Sequence, residues 1–238
     1  MRASTRHKHP FWQNVLAGLF ALVVLLCAWY AGKYMVSAVA EYFSQAHLDT
    51  WSERAELPDE AEWLRAKNQL SLSISMTSGN PRVQQLGGRL YEWRIEMAKA
   101  NGEDTQPFIE SALDFYRRSI ELRPLWPYAW LQFTQAKLRA KQFDDEFRHA
   151  YSMSFRFGPW EEDVYAGLVE VGFAAFKQLG KDNQNVLLNS ARRMADNPKT
   201  YEKLIKAGKR HKKLLYICYG VPDNKRIQIF CHKNKIKL

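Results

Sequence analysis

The chain has 238 residues, of which 46% are hydrophobic and 25% charged, which suffices for a buried core and is far too apolar for a disordered chain. Three cysteines with no C-x-x-C pair exclude a disulfide scaffold and a cysteine zinc site. The formal charge of +10 is unevenly spread: residues 1–47 hold four Lys/Arg and one Asp/Glu, residues 48–196 nineteen and twenty-two, and residues 197–238 twelve and two. A nucleic-acid-binding body usually shows the opposite pattern, so no nucleic-acid partner is expected.

From Phe11 to Gly32 no residue is charged. A helix of that length matches the bilayer hydrocarbon, about 30 Å thick. Nine Leu, Val and Phe between Val15 and Leu26 favour insertion by about 3 to 5 kcal/mol. Pro10 suits a helix start. Trp12 at one end and Trp29, Tyr30 and Tyr34 at the other fall where interfacial aromatics belong. A cleaved signal peptide is the competing reading, with Ala38-Val39-Ala40 as its cleavage site. Its apolar region is usually about 7–15 residues, and here the small residues lie beyond Lys33 and Tyr34. An uncleaved single-pass anchor is therefore expected. Arg2, Arg6 and Lys8 flank one side and Lys33 the other, which predicts a cytoplasmic N-terminus and an exported body, periplasmic if the membrane is a bacterial inner membrane.

Beyond the span, Tyr34, Met35, Val36, Val39, Tyr42, Phe43 and Ala46 keep helical spacing to about Leu48. Leu57-Pro58-Asp59-Glu60 reads as a break and a new helix start. Helices follow at about 60–76, 82–100, 107–122, 127–140, 144–157, 161–178, 184–196 and 199–213. Pro124, Pro159 and Pro198 each follow a helix at spacings of 35 and 39 residues. That is near the period of about 34 residues of tetratricopeptide (TPR) repeats. Ala112, Tyr116 and Pro124 sit at the small, aromatic and proline positions of a TPR second helix. Ala129-Trp130 with Phe133, Tyr165 with Leu168, and Leu86-Gly87 with Leu90 fit first helices. Thr134 and Glu146 depart from the pattern.

The expected fold is thus all-α: a transmembrane helix, then a TPR-like helical-hairpin solenoid with three irregular pairs over 80–198 and two flanking helices. The chain divides into a basic cytoplasmic leader (1–10), the span (11–32), a juxtamembrane helix and linker (33–58), the helical domain (59–198) and a basic tail (199–238). Alternation over Leu215–Phe230 around Gly220-Val221-Pro222-Asp223-Asn224-Lys225 predicts a β-hairpin in the tail. That hairpin would set Cys218 opposite Cys231, a candidate disulfide in an oxidising compartment.

Chemistry is sparse. Phosphate-cradling glycine loops and nucleophile elbows do not occur in the sequence. His7 and His9 belong to the basic leader, and His149, His211 and His232 lack ligand spacing. Asp144-Asp145-Glu146 and Glu161-Glu162-Asp163 begin helices, where carboxylates complement the dipole. No catalytic, cofactor or metal residue is therefore assigned, and no enzyme activity is expected. Lys203, Lys206, Lys209, Arg210, Lys212 and Lys213 form a solvated helix face or a contact for anionic lipid. Stacked helix pairs offer a groove lined by first helices. Its expected lining is Gln84 and Tyr91, then Tyr128, Leu131, Gln135 and Arg139, then Asp163, Ala166, Glu170 and Phe173.

The basic leader, the single span, the run Ser119-Ile120-Glu121-Leu122-Arg123-Pro124-Leu125-Trp126-Pro127-Tyr128-Ala129-Trp130 and the later Phe155-Arg156-Phe157-Gly158-Pro159-Trp160-Glu161 together resemble the VpsP-type polysaccharide biosynthesis proteins. The resemblance covers about 10–198. It implies a small membrane-anchored scaffold for exopolysaccharide assembly or export, without established catalytic residues, whose partners are membrane proteins of that machinery. The same residues also fit a general periplasmic TPR protein that serves secretion or folding of envelope proteins.

Overall fold

A computed structural model describes residues 11–234 and 236; the basic leader with His7 and His9 lies outside them. Helix α1 runs unbroken from Phe11 to Arg54. Its first part contains a stretch long and apolar enough to cross a membrane, none of it buried in the protein. Farther along, Ser37, Ala40, Ser44, Leu48 and Trp51 are buried at intervals of three and four residues. That spacing marks one stripe of a helix packed on a neighbour. The neighbour is α2 (Glu60–Met76), which returns antiparallel to α1. Ser73 Oγ donates to the Ser37 carbonyl (3.0 Å), and Ser44 Oγ to the Ala66 carbonyl (3.3 Å). The reversal needs only residues 55–59. Ala55 takes a left-handed φ of 53° there. Asp59 and Glu62 then form a reciprocal capping box that starts α2.

The pairing repeats. Helices α3 (Pro81–Asn101) and α4 (Gln106–Leu122), α5 (Pro127–Arg139) and α6 (Asp145–Phe157), and α7 (Glu162–Ala174) and α8 (Gly180–Asp196) are antiparallel hairpins. Pro81, Pro127 and Pro198 each stand in the first turn of the opening helix of a hairpin, where a missing N–H costs nothing. Pro198 thus opens a helix as well as closing one. In three hairpins a buried serine of the second helix donates to a carbonyl of the first: Ser73 to Ser37, Ser119 to Pro81 (2.9 Å) and Ser154 to Pro127 (3.2 Å). Ser119 and Ser154 each precede a helix-ending proline by five residues, so the recurrence is written in the sequence.

The basic segment after Pro198 is a packed part of the stack. Helix α9 (Pro198–Arg210) buries Thr200, Leu204, Ile205, Ala207 and Gly208 and turns its lysines outward. The expected β-hairpin does not form. Helices α10 (Leu214–Gly220) and α11 (Lys225–Lys233) occupy its place. The alternating residues were too few to outweigh helical burial: Ile217, Cys218, Val221, Ile227 and Cys231 all face the core. Asn224 accepts from the Ile227 N–H (3.1 Å) and caps α11, so the predicted turn is a helix start. Cys218 and Cys231 are disulfide-bonded between the two helices, with Cα atoms 6.1 Å apart. Among the described residues there are therefore eleven helices in five successive hairpins plus α11, with α1 itself the first member.

Close approach within hairpins depends on glycine. A Cβ at Gly88 would lie 2.5 Å from the Tyr116 ring, and one at Gly87 would lie 2.3 Å from the Phe115 ring. Gly88→Val should therefore cost about 1–3 kcal/mol in denaturant unfolding of the detergent-solubilised chain. Gly79→Ala, where nothing lies within 4 Å, should change stability by less than about 0.5 kcal/mol.

Candidate functional site on the first helices

Of the opening helices of the hairpins, α1 packs against α3, α5 against α7 and α7 against α9, while α3 and α5 are joined by a side-chain pair. Charged and hydroxyl groups bridge them in sequence. Arg89 of α3 reaches Asp49 of α1 at 3.5 Å. Arg139 of α5 is paired with Glu92 of α3. Tyr128 of α5 donates to Glu161, the residue before α7, at 3.0 Å. Glu170 of α7 meets Arg210 of α9 at 3.1 Å and His211 at 3.0 Å.

Glu92 is the best-held of these carboxylates. Beneath it, Tyr116 is buried and donates to Oε1 at 3.1 Å. Burial first, and then the Glu92 charge, hold the Tyr116 phenol well above its ordinary value, so it remains a donor. Arg139 closes over the same oxygen from the solvent side. Ser52, Arg89, Glu92, Trp93, Glu96 and Arg139 line a recess of about 300 Å³ between α1, α3 and α5. A second recess, of about 220 Å³, lies between α7, α8 and α9, with Ala166, Gly167 and Met194 against Glu170, Lys203, Lys206 and Arg210. Gly167 also lets α7 approach α5, because a Cβ there would lie 2.7 Å from Leu131.

The structure places the sequence-derived groove residues unequally. Gln135, Arg139, Asp163, Ala166 and Glu170 are at least partly accessible. Tyr128 is half-buried and engaged with Glu161, and burial followed by that carboxylate raises its phenol. Leu131 and Phe173 are core residues. Gln84 is buried at the start of α3 and donates to the Ser78 carbonyl, so it is closed to a ligand. Tyr91 points into the packing between helices, stacked on Phe115 at 5.6 Å and edge-on to Trp63 at 5.7 Å. The α3 residues that line the recess are Arg89, Glu92, Trp93 and Glu96, of which Glu96 is exposed and the others partly buried. Repeat positions carried onto the long α3 from Leu86-Gly87 thus include one buried residue, Gln84, and one packed against rings, Tyr91. Asp49 and Ser52 of α1 and Lys203, Lys206 and Arg210 of α9 also join this surface. Polar residues at three- and four-residue spacing on α3 and α9 were the available signal.

The run at Asp144 serves packing and capping, whereas Glu161 accepts from Tyr128 and makes no side-chain cap for α7. Asp144 accepts from the Phe147 N–H at 2.9 Å and caps α6. Lys137, buried to 1% exposure, lies 2.6 Å from Asp144 and 2.7 Å from Glu146. Arg117 adds a contact to Glu146 at 2.8 Å, and its hydrogen bond leads the causes that hold Glu146 below the usual carboxylate range. Cation and carboxylates therefore satisfy one another across the α4, α5 and α6 packing.

No protein-family model matches the sequence, and no curated protein is significantly similar to it.

If Tyr116 depends on Glu92 for its acceptor, Glu92→Ala should lower stability by about 1–3 kcal/mol. In a Tyr116→Phe background the same change should cost less than about 1 kcal/mol, because only the exposed pair with Arg139 is then lost. Urea unfolding of the four proteins measures the difference. Equal losses in both backgrounds would show that the phenol does not rely on this carboxylate.

Proposed function

We propose that this chain is a non-catalytic membrane-tethered scaffold that holds a partner on its first-helix face, in the service of bacterial cell-surface polysaccharide assembly or export. The observation that carries the reading is the continuity of α1. One helix holds the membrane-compatible stretch and also contributes Asp49 and Ser52 to the surface shared with α3 and α5. A partner seated there would be held at a fixed height above the bilayer.

The proposed topology has the N-terminus in the cytoplasm, α1 crossing the inner membrane and the hairpins in the periplasm. The flanking Arg2, Arg6 and Lys8 support that direction. The Cys218–Cys231 disulfide supports an oxidising compartment for the body. The polysaccharide setting rests on the resemblance of 119–130 and 155–161 to the VpsP-type proteins. The surface itself suits a protein segment. Paired charges give register, and Trp93 and the apolar floor at Ala166 and Met194 give contact area.

A photo-cross-linking residue at Gln135, in cells that make the polysaccharide, tests the reading. The expected product is one dominant adduct with a membrane protein of the polysaccharide machinery, absent when the same residue replaces the solvent-exposed Arg118 of α4. Adducts with many unrelated envelope proteins would contradict the dedicated role and favour a general periplasmic helper.

A further inference from the structure

Each hairpin reverses direction, so the turns that join one hairpin to the next all return to one edge of the stack. The first such turn fixes what that edge faces. Residues 77–80, between α2 and α3, lie beside the end of the membrane-compatible stretch. Tyr30, Lys33 and Tyr34 of α1 line one recess with Met76, Asn80 and Pro81. Asn80 and Arg82 are tied to Glu41 of α1, Arg82 at 2.8 Å. The return edge therefore begins at the level where α1 carries its interfacial aromatics.

The next two turns along this edge expose large apolar side chains. Between α4 and α5, Leu122 is 44% exposed and Leu125 69%. Between α6 and α7, Trp160 is 78% exposed, the most exposed large apolar side chain in the described residues. The guanidinium of Arg123 lies 3.8 Å from the ring centre of Trp126, and that of Arg193 lies 3.6 Å from the ring centre of Trp160. Each indole thus carries a cation on its face. An indole that presents an apolar body, an N–H and an adjacent guanidinium matches the headgroup layer, where aromatics settle and phosphates accept from arginine. The turns at the opposite edge differ. There Ala55, Glu56, Gly102, Glu103, Asp104 and Lys141 are exposed and small or charged, and the one strongly exposed large apolar side chain in those turns is Leu57, at 45%.

We infer that the return edge is a membrane-surface contact: Leu125 and Trp160 enter the headgroup layer, and Arg123 and Arg193 meet lipid phosphate. The occupant is the phospholipid surface in which α1 is anchored, so the inference rests on α1 spanning that bilayer. It is independent of any partner on the first-helix face. The hairpins would then lie against the membrane, held at two places, by α1 and by this edge.

Fluorescence quenching in nanodiscs of zwitterionic and anionic phospholipid tests this with the full chain. Cys27, the single free thiol of the described residues, provides the reference. Labelled there, the wild-type chain should be quenched by lipids spin-labelled in the acyl chain. In a Cys27→Ser background, Leu125→Cys, Trp160→Cys and Glu56→Cys each carry the same environment-sensitive label. All three positions are exposed, so the fold is not at stake. Headgroup-spin-labelled lipid should quench the labels at 125 and 160 several-fold more strongly than the label at 56. Arg123→Glu with Arg193→Glu should abolish most of that difference. Equal quenching at 56, 125 and 160, with the Cys27 label still quenched, would overturn the edge contact and leave the anchor standing. An unquenched Cys27 label would overturn both.

Discussion

The burial of the outer half of α1 against α2 governs this structure. Trp51 and Leu48 are closed to solvent, and Ser37 and Ser44 bond to α2 at the level nearer the span. An isolated helix has no reason to stay straight beyond a membrane. Here the stretch beyond Gly32 is one half of the first hairpin, and the apolar side chains of α2 and α3 complete its cover. The membrane-compatible stretch and the hairpin stack are therefore one element at their junction, and a hinge there would expose Trp51 and Leu48 to water.

Everything distal follows from nearest-neighbour stacking. Each hairpin has an apolar face that only the next hairpin can cover, and the buried groups fall into three clusters along the chain. The fifth hairpin, α9 and α10, is followed by the short helix α11, bonded to α10 through Cys218 and Cys231. A lysine-rich segment is stable in this position because α9 separates its residues so cleanly. Leu204, Ile205 and Ala207 point inward, and Lys203, Lys206 and Lys209 point to water. On the opening helices, paired charges add to apolar contacts such as that of Leu131 at Gly167, and recesses remain at both ends of the row.

Helices were legible where periodicity and breakers agreed. The helix starts at Pro127 and Glu162 and the end at Leu122 were marked by proline or acidic residues, and the structure places them within a residue or two of expectation. The apolar run from Phe11 read directly as a membrane-compatible helix. Three features were not legible. The role of α1 as a repeat member was hidden because Ser37, Ala40 and Ser44 are small, and small residues signal close packing only once the partner is known. The tail was misread because Ile227, Ile229 and the residues between them satisfy period two over a stretch too short to exclude a helix. The recess along α3 was not legible because Gly87 and Gly88 both admit a ring, so a repeat template has no single register on that long helix.

Hydrogen exchange across residues 33–54, in the full chain held in a bilayer, addresses the central claim most directly. A continuous α1 packed on α2 predicts slow exchange for the amides from Ser37 to Trp51, comparable with those of α5. Rapid exchange there, with α5 still protected, would mean that a flexible linker joins the span to the hairpins, and would contradict the account.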